Sequence, residues 1–319
     1  MTDSFFPTEP LVTILIVTWN RKDDVLETVQ SIYAQSYRNF EVIVVDNGSI
    51  DRTVETLAQT YPQVRTVSLE KNMGVSIGRN EGIALAGGEI IFLLDSDGSL
   101  EQDTLHFIVS KLKNDTTIGA INCKIVNAST RKLDGGPGWV YSSKMVALQD
   151  QEFISYSFSE GGAAIRKLVL DKVGMFWDFL FVGCEGQELS LRILDAGYSI
   201  LYFPAAIVYH RASPHARVNE KERDSYNLLN SLSIYLVRFP WWLFALLTPI
   251  KIFAKLFKGI RRGYLRSVLS ALRSFTRHIP YLLKQRSPIR NITARAYLKM
   301  LREQGPLSWD FFTWLREKT

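Results

Sequence analysis

The chain reads as an α/β protein with a mostly parallel central sheet and flanking helices, followed by a C-terminal helical region suited to a membrane surface. Three observations predict this. From residue 11 to about 123, short runs of Val, Ile and Leu alternate with helix-period segments. The runs lack apolar–polar alternation, so both faces of each strand are expected to be buried, as in a parallel sheet covered by helices. Beyond about residue 215 the composition turns aromatic and basic.

The strands are expected at VTILIVT (12–18), FEVIVVD (40–46), VRTVSL (64–69) and EIIFLLD (89–95). Between them Val25, Val29 and Ile32 repeat at helical spacing, as do Val54, Leu57 and Ala58. Strand and helix in alternation predict a doubly wound sheet. Past residue 123 the pattern loosens into the turn-rich LDGGPGW at 133–139 and then SEGGAAIRKLVLDKVGMF at 159–176. A helix is expected from about Gln187 to Ala196, closed by Gly197, and the apolar run YSILYFPAAIVYH follows it to His210. The α/β unit is expected to occupy residues 1–215, and a helical region residues 216–319. There Tyr226 to Phe257 is nearly continuous in apolar residues, but its longest uncharged stretch, Phe239 to Ile250, is short for a bilayer crossing. Trp241, Trp242, Phe244, Phe253 and Phe257 beside Lys251, Lys255, Lys258, Arg261 and Arg262 suit a helix lying on an anionic surface. The competing expectation is a helical hairpin packed on the α/β unit.

Composition sets the outer bounds. A chain of 319 residues, 46% apolar and 22% charged, is ordinary for a folded protein. The formal net charge of +6 is concentrated between Lys251 and Arg302, which points to an anionic partner. The tail's tryptophans cluster with aliphatic residues, favouring lipid over nucleic acid. Two cysteines, Cys123 and Cys184, do not make a disulfide framework. The start, Met-Thr-Asp-Ser-Phe-Phe-Pro, lacks the basic and apolar regions of a secretory leader, so a cytoplasmic location is expected. A dinucleotide-dependent oxidoreductase would need a G-x-G-x-x-G turn after the first strand, where this chain has Thr18-Trp19-Asn20-Arg21.

In an open α/β sheet, ligands bind beyond the carboxyl ends of the strands. The polar residues there are Thr18 to Arg21, then Asp46-Asn47-Gly48-Ser49, then Asp95-Ser96-Asp97-Gly98. Two carboxylates two residues apart at a buried strand end repel one another, so a compensating cation is expected. A hard divalent ion held by oxygen would supply it and leave open positions for nucleotide phosphates. Asp46 suits acceptance from a ribose hydroxyl or a base N–H, whereas Asp51 is expected to cap the next helix. Two readings stay open for Arg79, pairing with phosphate or with a structural carboxylate.

The series VTILIVTWNR, VIVVDNGSIDRT and NMGVSIGRNEGIALAGGEIIFLLDSDG resembles family 2 glycosyltransferases of the GT-A fold, in order and spacing. GGAAIRKLVLDKVGMF (161–176), CEGQELSLRILDAGYSILYFPAAIVYH (184–210) and SYNLLNS (225–231) extend the resemblance to about residue 231. It implies an inverting transfer from a nucleoside diphosphate sugar, UDP-, GDP- or dTDP-linked, with Mg2+ or Mn2+ as cofactor. Asp46 would contact the donor's base or ribose, with Thr18, Asn20 and Arg21 in the same pocket. Asp95 would face the ribose or the metal's water, Asp97 would ligate the metal, and His210 matches a position where some relatives add a ligand; a lone His after a strand is also often structural.

The resemblance places the catalytic base at Glu185-Gly186-Gln187-Glu188, where many relatives carry an acid at the second position. Gly186 is a departure. Glu185 becomes the expected base and Glu188 the alternative, with orientation of Arg192 the structural role open to Glu188. Gly161 and Gly162 would let backbone approach donor or acceptor, or serve a plain turn. The expected setting is polysaccharide or lipid-linked glycan assembly at the inner face of a membrane. The other class left open is a catalytically inactive nucleotide-sugar-binding or scaffold protein.

Overall fold

The computed structural model describes residues 9–135, 138–214 and 219–305. The first eight residues, on which the cytoplasmic expectation rests, Gly136 and Pro137 of the turn-rich run, and the expected boundary at residue 215 lie outside them. The first half lays down β1 (Val12–Thr18), α1 (Lys22–Tyr33), β2 (Phe40–Asp46), α2 (Thr53–Thr60), β3 (Arg65–Ser68), α3 (Val75–Leu85) and β4 (Ile90–Asp95). Next come β5 (Gly98–Leu100), α4 (Thr104–Asn114), β6 (Ile118–Asn127), a 3-10 turn at Ser143–Leu148 and β7 (Phe153–Ile154). The α/β part closes with β8 (Gly162–Arg166), α5 (Lys167–Val173), α6 (Glu185–Asp195) and β9 (Ser199–His210).

The strands form one sheet in the order β3-β2-β1-β4-β8-β6-β9-β5, with β7 beside β9. Pairings β1–β2, β1–β4, β2–β3 and β6–β9 are parallel, whereas β8 runs antiparallel between β4 and β6. Side chains alternate along each strand, so one strand supplies two cores. Val12, Ile14 and Ile16 of β1 join Val25, Val29 and Ile32 of α1 and Leu105, Ile108 and Leu112 of α4 on one face. Leu15 of β1, Ile43 and Val45 of β2 and Ile91 and Leu93 of β4 meet Ile83 of α3 and Leu189 and Ile193 of α6 on the other. This is the three-layer arrangement expected of unalternated apolar strands. The exception is β3, an edge strand with exposed or half-exposed positions throughout, because it has a strand on one side only.

Four helices follow: α7 (Glu220–Arg238), α8 (Trp241–Arg261), α9 (Leu265–Lys284) and α10 (Asn291–Gln304). Much of the apolar run expected at a membrane surface is core instead. Ile234, Tyr235, Phe239 and Leu243 are buried with Tyr141, Leu180, Leu191 and Tyr202 of the α/β part, and with Ile289, Ala294 and Tyr297. Leu228, Leu232, Leu236 and Val237 of α7 pack on Val268, Ala271 and Phe275 of α9. The hydrophobic core is therefore continuous across the expected boundary. No helix among the described residues is long and apolar enough to cross a membrane.

An ion pair reinforces that continuity. Glu188 of α6, wholly buried, accepts from Arg192 Nε at 3.0 Å and Nη2 at 2.6 Å, and from Arg238 Nε of α7 at 2.7 Å. Arg192 also donates to the carbonyls of Val173, Gly174 and Met175. Removing the carboxylate leaves two guanidinium groups without their counter-charge, a loss of about 3 kcal/mol or more. Glu188→Ala is expected to lower the unfolding free energy in urea by that amount; a change below about 1 kcal/mol would show the pair to be dispensable.

Candidate active site

Register places the site at one rim. Thr18 pairs with Asp46 and Val17 with Asp95, so β1, β2 and β4 end side by side. Asp46 is 1% exposed; its Oδ2 accepts the Ser49 N–H at 2.9 Å, while Oδ1 has no hydrogen-bond partner among the described residues. Thr18 Oγ1 is likewise buried and without such a partner. Asn47 faces elsewhere: its amide donates to Asn72 Oδ1 and the Gly74 carbonyl at 3.1 Å, and its Oδ1 accepts from Met73 N–H at 2.8 Å. It shapes the 72–74 turn with both amide hydrogens engaged there. Asn20, in the left-handed region at φ 52°, clasps the loop after β2, accepting from Ile50 N–H at 2.9 Å and donating its own N–H to Ser49 Oγ at 2.7 Å. Asp51 secures two helices at once, accepting from Lys22 N–H at 3.0 Å and Thr53 N–H at 3.2 Å. It does so from one residue before the capping position, which Arg52 occupies.

The Asp95-Ser96-Asp97 turn is held by its backbone. Ser96 is buried and its carbonyl accepts from Thr28 Oγ1 at 2.8 Å; the Asp97 carbonyl accepts from Arg211 N–H at 3.0 Å. Pairing of Gly98 with His210 brings the end of β9 alongside. One ligand atom from each of Asp95, Asp97 and His210 falls within 4.8 Å of the others, a set of two carboxylates and one imidazole that fits a divalent cation. Asp97, 1% exposed, accepts from Ser213 N–H at 3.0 Å and lies 3.3 Å from Arg21 Nη1 and 3.4 Å from His210 Nε2, all through Oδ2. His210 Nδ1 meets Asp134 Oδ2 at 2.5 Å, which orients the ring. Burial and then the charge of Asp97 raise the pKa of Asp95. At His210 burial opposes the imidazolium, but Asp97, Asp134 and Asp95 outweigh it and push the pKa up to about 9. The same negative field that holds a proton there would hold a metal ion.

A second acidic group stands at the start of α6. Glu185 is 4% exposed, and its Oε1 accepts the Gly183 N–H at 2.5 Å. Burial, then the charge of Glu160, push its pKa up to about 8, with Arg79 opposing. Glu160 accepts the Gly186 N–H. Arg79 of α3, 8% exposed, lies 5.3 Å from the Phe176 ring centre, and its Nη1 has no hydrogen-bond partner among the described residues. Glu188, the alternative base, has both oxygens engaged by Arg192 and Arg238 and serves structure instead.

Residues 13–174 match the family model described as glycosyl transferase family 2, which is half of the chain. The chain belongs to the family 2 glycosyltransferases. It is similar to the probable glycosyltransferase YdaM of Bacillus subtilis, 26% identical over 241 residues that cover 68% of this chain and 54% of that protein. It is also similar to the poly-beta-1,6-N-acetyl-D-glucosamine synthase of Staphylococcus aureus, 28% identical over 205 residues, or 62% of this chain and 49% of that one. The matched region thus spans about half the length of these relatives. Among solved structures, a mannosyltransferase of Pyrobaculum calidifontis in complex with GDP-Man and Mn2+ superposes with a TM-score of 0.53 at 21% identity, covering 97% of this chain and 80% of that one. The fold of this glycosyltransferase is GT-A.

Two groups in the glycosyltransferase's cleft escaped the sequence reading, Asp134 and Glu160. Asp134 sat in a segment that reads as turn; the bridge of Leu133 to Val126 on β6, with β6 beside β9, brings it to His210. A Glu directly before the Gly161-Gly162 pair, where the chain must pass close to Asp95, was the available signal for Glu160.

Glu185 carries a pH signature. Its folded pKa lies above the unfolded value near 4.5, so the fold favours the protonated form. Its stabilising contribution is fully present below 4.5 and is lost as pH rises through about 8. Glu185→Gln, which keeps a neutral side chain, is expected to raise the melting temperature in mildly alkaline buffer and leave it unchanged in acid; equal shifts at both would contradict the assignment.

Proposed function

We propose that this glycosyltransferase moves a sugar from a UDP-, GDP- or dTDP-linked donor to a hydroxyl of a glycan or lipid-linked acceptor, with inversion at the anomeric carbon. One observation carries the reading: the Asp95, Asp97 and His210 ligand atoms converge within 4.8 Å beside buried polar atoms of Thr18, Asp46 and Arg79 that lack hydrogen-bond partners among the described residues. A buried polar atom without a partner costs stability unless a ligand satisfies it. Asp46 Oδ1 and Thr18 Oγ1 suit the hydroxyls or N–H groups of a nucleoside, and Arg79 Nη1 suits a phosphate oxygen. Arg21, beside Asp97, adds positive charge to the same rim. Asp95, Asp97 and His210 would hold Mg2+ or Mn2+, which when bound neutralises charge on the departing diphosphate. The GDP-Man and Mn2+ held by the mannosyltransferase of the same fold support both donor and metal. The acceptor proton passes to the acidic group at the start of α6, where Gly186 in place of the usual acid leaves Glu185 as the expected base.

The C-terminal helices support placement on an anionic membrane surface. Trp242, Leu246, Pro249, Phe253, Phe257 and Ile260 recur at helical spacing on the exposed side of α8, opposite the buried Leu243 and Leu247. Beside Trp242 a surface cavity of about 680 Å³ is lined by Arg295, Lys299 and Arg302. Exposed aromatic residues next to cations fit the headgroup region of an anionic bilayer, and the polysaccharide synthase among the relatives fits a polymeric or lipid-linked acceptor. Gly186 favours a second reading, a nucleotide-sugar-binding protein without turnover.

Melting curves with each nucleotide sugar, with and without Mn2+, test the donor site. Stabilisation is expected only with nucleotide and metal together, about 2.7 kcal/mol at a ligand concentration a hundred times Kd. Asp97→Asn should abolish it, and a shift indifferent to chelator would count against the metal site. Sedimentation with phosphatidylglycerol vesicles tests the surface. Binding should fall about ten-fold or more in Trp242→Ala/Phe253→Ala and in high salt; equal binding to neutral vesicles would refute the anionic-surface reading.

A further inference from the structure

Gly186 leaves α6 without a side chain at its second residue, but the space is not empty. A Cβ built on Gly186 would stand 2.7 Å from Glu160 Oε1 and 2.7 Å from the Phe158 carbonyl oxygen. The place where other members carry an acid on α6 is thus reached here by a carboxylate from a different element. The sheet explains how. Strand β8 runs antiparallel to β4 with Gly162 opposite Leu94, so the chain just before β8 passes the end of β4 and its Asp95. A Cβ on Gly161 would lie 2.7 Å from Asp95 Oδ2, so a side chain there would displace that carboxylate. Glu160, one residue earlier, therefore lies between the metal-ligand cluster and the start of α6.

We propose that Glu160 is the carboxylate that takes the acceptor proton, entering from the β8 side into the space left by Gly186. The proposal rests on the glycosyl-transfer reading above and names a different base within its acidic group. Three features distinguish Glu160 from Glu185. Glu160 is half-buried, whereas Glu185 is 4% exposed, so an entering hydroxyl meets Glu160 more readily. Glu160 accepts the Gly186 N–H in the first turn of α6, an environment that favours negative charge. Glu185 is engaged within its own turn, its Oε1 accepting the Gly183 N–H at 2.5 Å. In the reaction the acceptor oxygen forms its bond to the anomeric carbon as the bond from that carbon to the diphosphate oxygen breaks. The bonding pair leaves with the nucleoside diphosphate, and the hydroxyl proton goes to Glu160. Gly186 is then the partner of a relocated carboxylate and no longer a sign of lost catalysis.

The test follows release of nucleoside diphosphate from a UDP-, GDP- and dTDP-sugar panel with Mn2+, alongside the melting shift given by the same donors. Glu160→Gln keeps an oxygen that accepts the Gly186 N–H but cannot take a proton. It is expected to retain the donor-induced melting shift and the donor KM while kcat falls about 100-fold or more, and formate should restore part of the activity of Glu160→Ala. Glu185→Gln should keep more than about a tenth of kcat. Near-wild-type kcat in Glu160→Gln, even with Glu160→Ala impaired, would overturn the proposal and leave Glu160 a structural acceptor. A wild-type chain that binds donor yet releases no diphosphate would overturn it in favour of the non-catalytic reading. A chain that neither binds nor turns over any donor would remove the glycosyl-transfer reading itself, and Glu160 as base with it.

Discussion

Negative charge gathered at the rim of an apolar sheet is the constraint on which the site depends. Asp46 and Asp97 are 1% exposed, and burial together with its neighbour raises the pKa of Asp95. The fold compensates with Arg21 and His210, and with the backbone N–H groups of Ser49 and Ser213. That compensation is incomplete: Asp46 Oδ1, Thr18 Oγ1 and Arg79 Nη1 are buried without hydrogen-bond partners among the described residues. Polar atoms left buried and unpaired in this way cost the fold stability unless a ligand satisfies them.

Topology decides which residues share that rim. Parallel strands align Thr18, Asp46 and Asp95, but a purely parallel sheet would not bring the second half of the chain to them. The antiparallel insertion of β8 between β4 and β6 carries Glu160 and Gly161 past Asp95. The short β5 pairs antiparallel with β9, which sets His210 opposite Gly98 and hence beside Asp97. The Asp95, Asp97 and His210 cluster and Glu160 thus come together from far apart in sequence because two short antiparallel pairings close the distance.

What could be seen in the sequence follows the same division. β1, β2, β3 and β4 were each bounded to within one residue at either end because the runs are short, β-branched and flanked by turn residues. β3 is more polar, Arg65-Thr66-Val67-Ser68, and lies at the sheet edge, so it is not buried as the others are. Glu188 and Arg192 were visible as a helical pair at i and i+4; the third member, Arg238, was not, because it arrives from α7. Asn47 looked like its neighbour Asp46, and only the 72–74 turn reveals that its amide is fully engaged. Asp134 and Glu160 were hidden for the reason the other rim residues were not: no apolar strand leads directly into them.

The C-terminal helices show how composition can mislead by half. The apolar run from Tyr226 onward suggested a single surface, yet α7 lies within the core and α8 divides lengthwise. Rotation of α8 about its axis determines which residues face out, and it is fixed by charge as well as by packing. Asp224 of α7 accepts from Lys255 Nζ at 2.9 Å and Lys258 Nζ at 2.8 Å. Burial opposes ionisation of Asp224, but the two lysines outweigh it and hold its carboxyl below the ordinary range. With both cations turned inward to α7, the stripe from Trp242 to Ile260 must point away from the body of the protein. Its exposure goes with a satisfied ion pair on the opposite side, and turning the stripe inward would leave the half-buried Asp224 carboxylate without its two lysines.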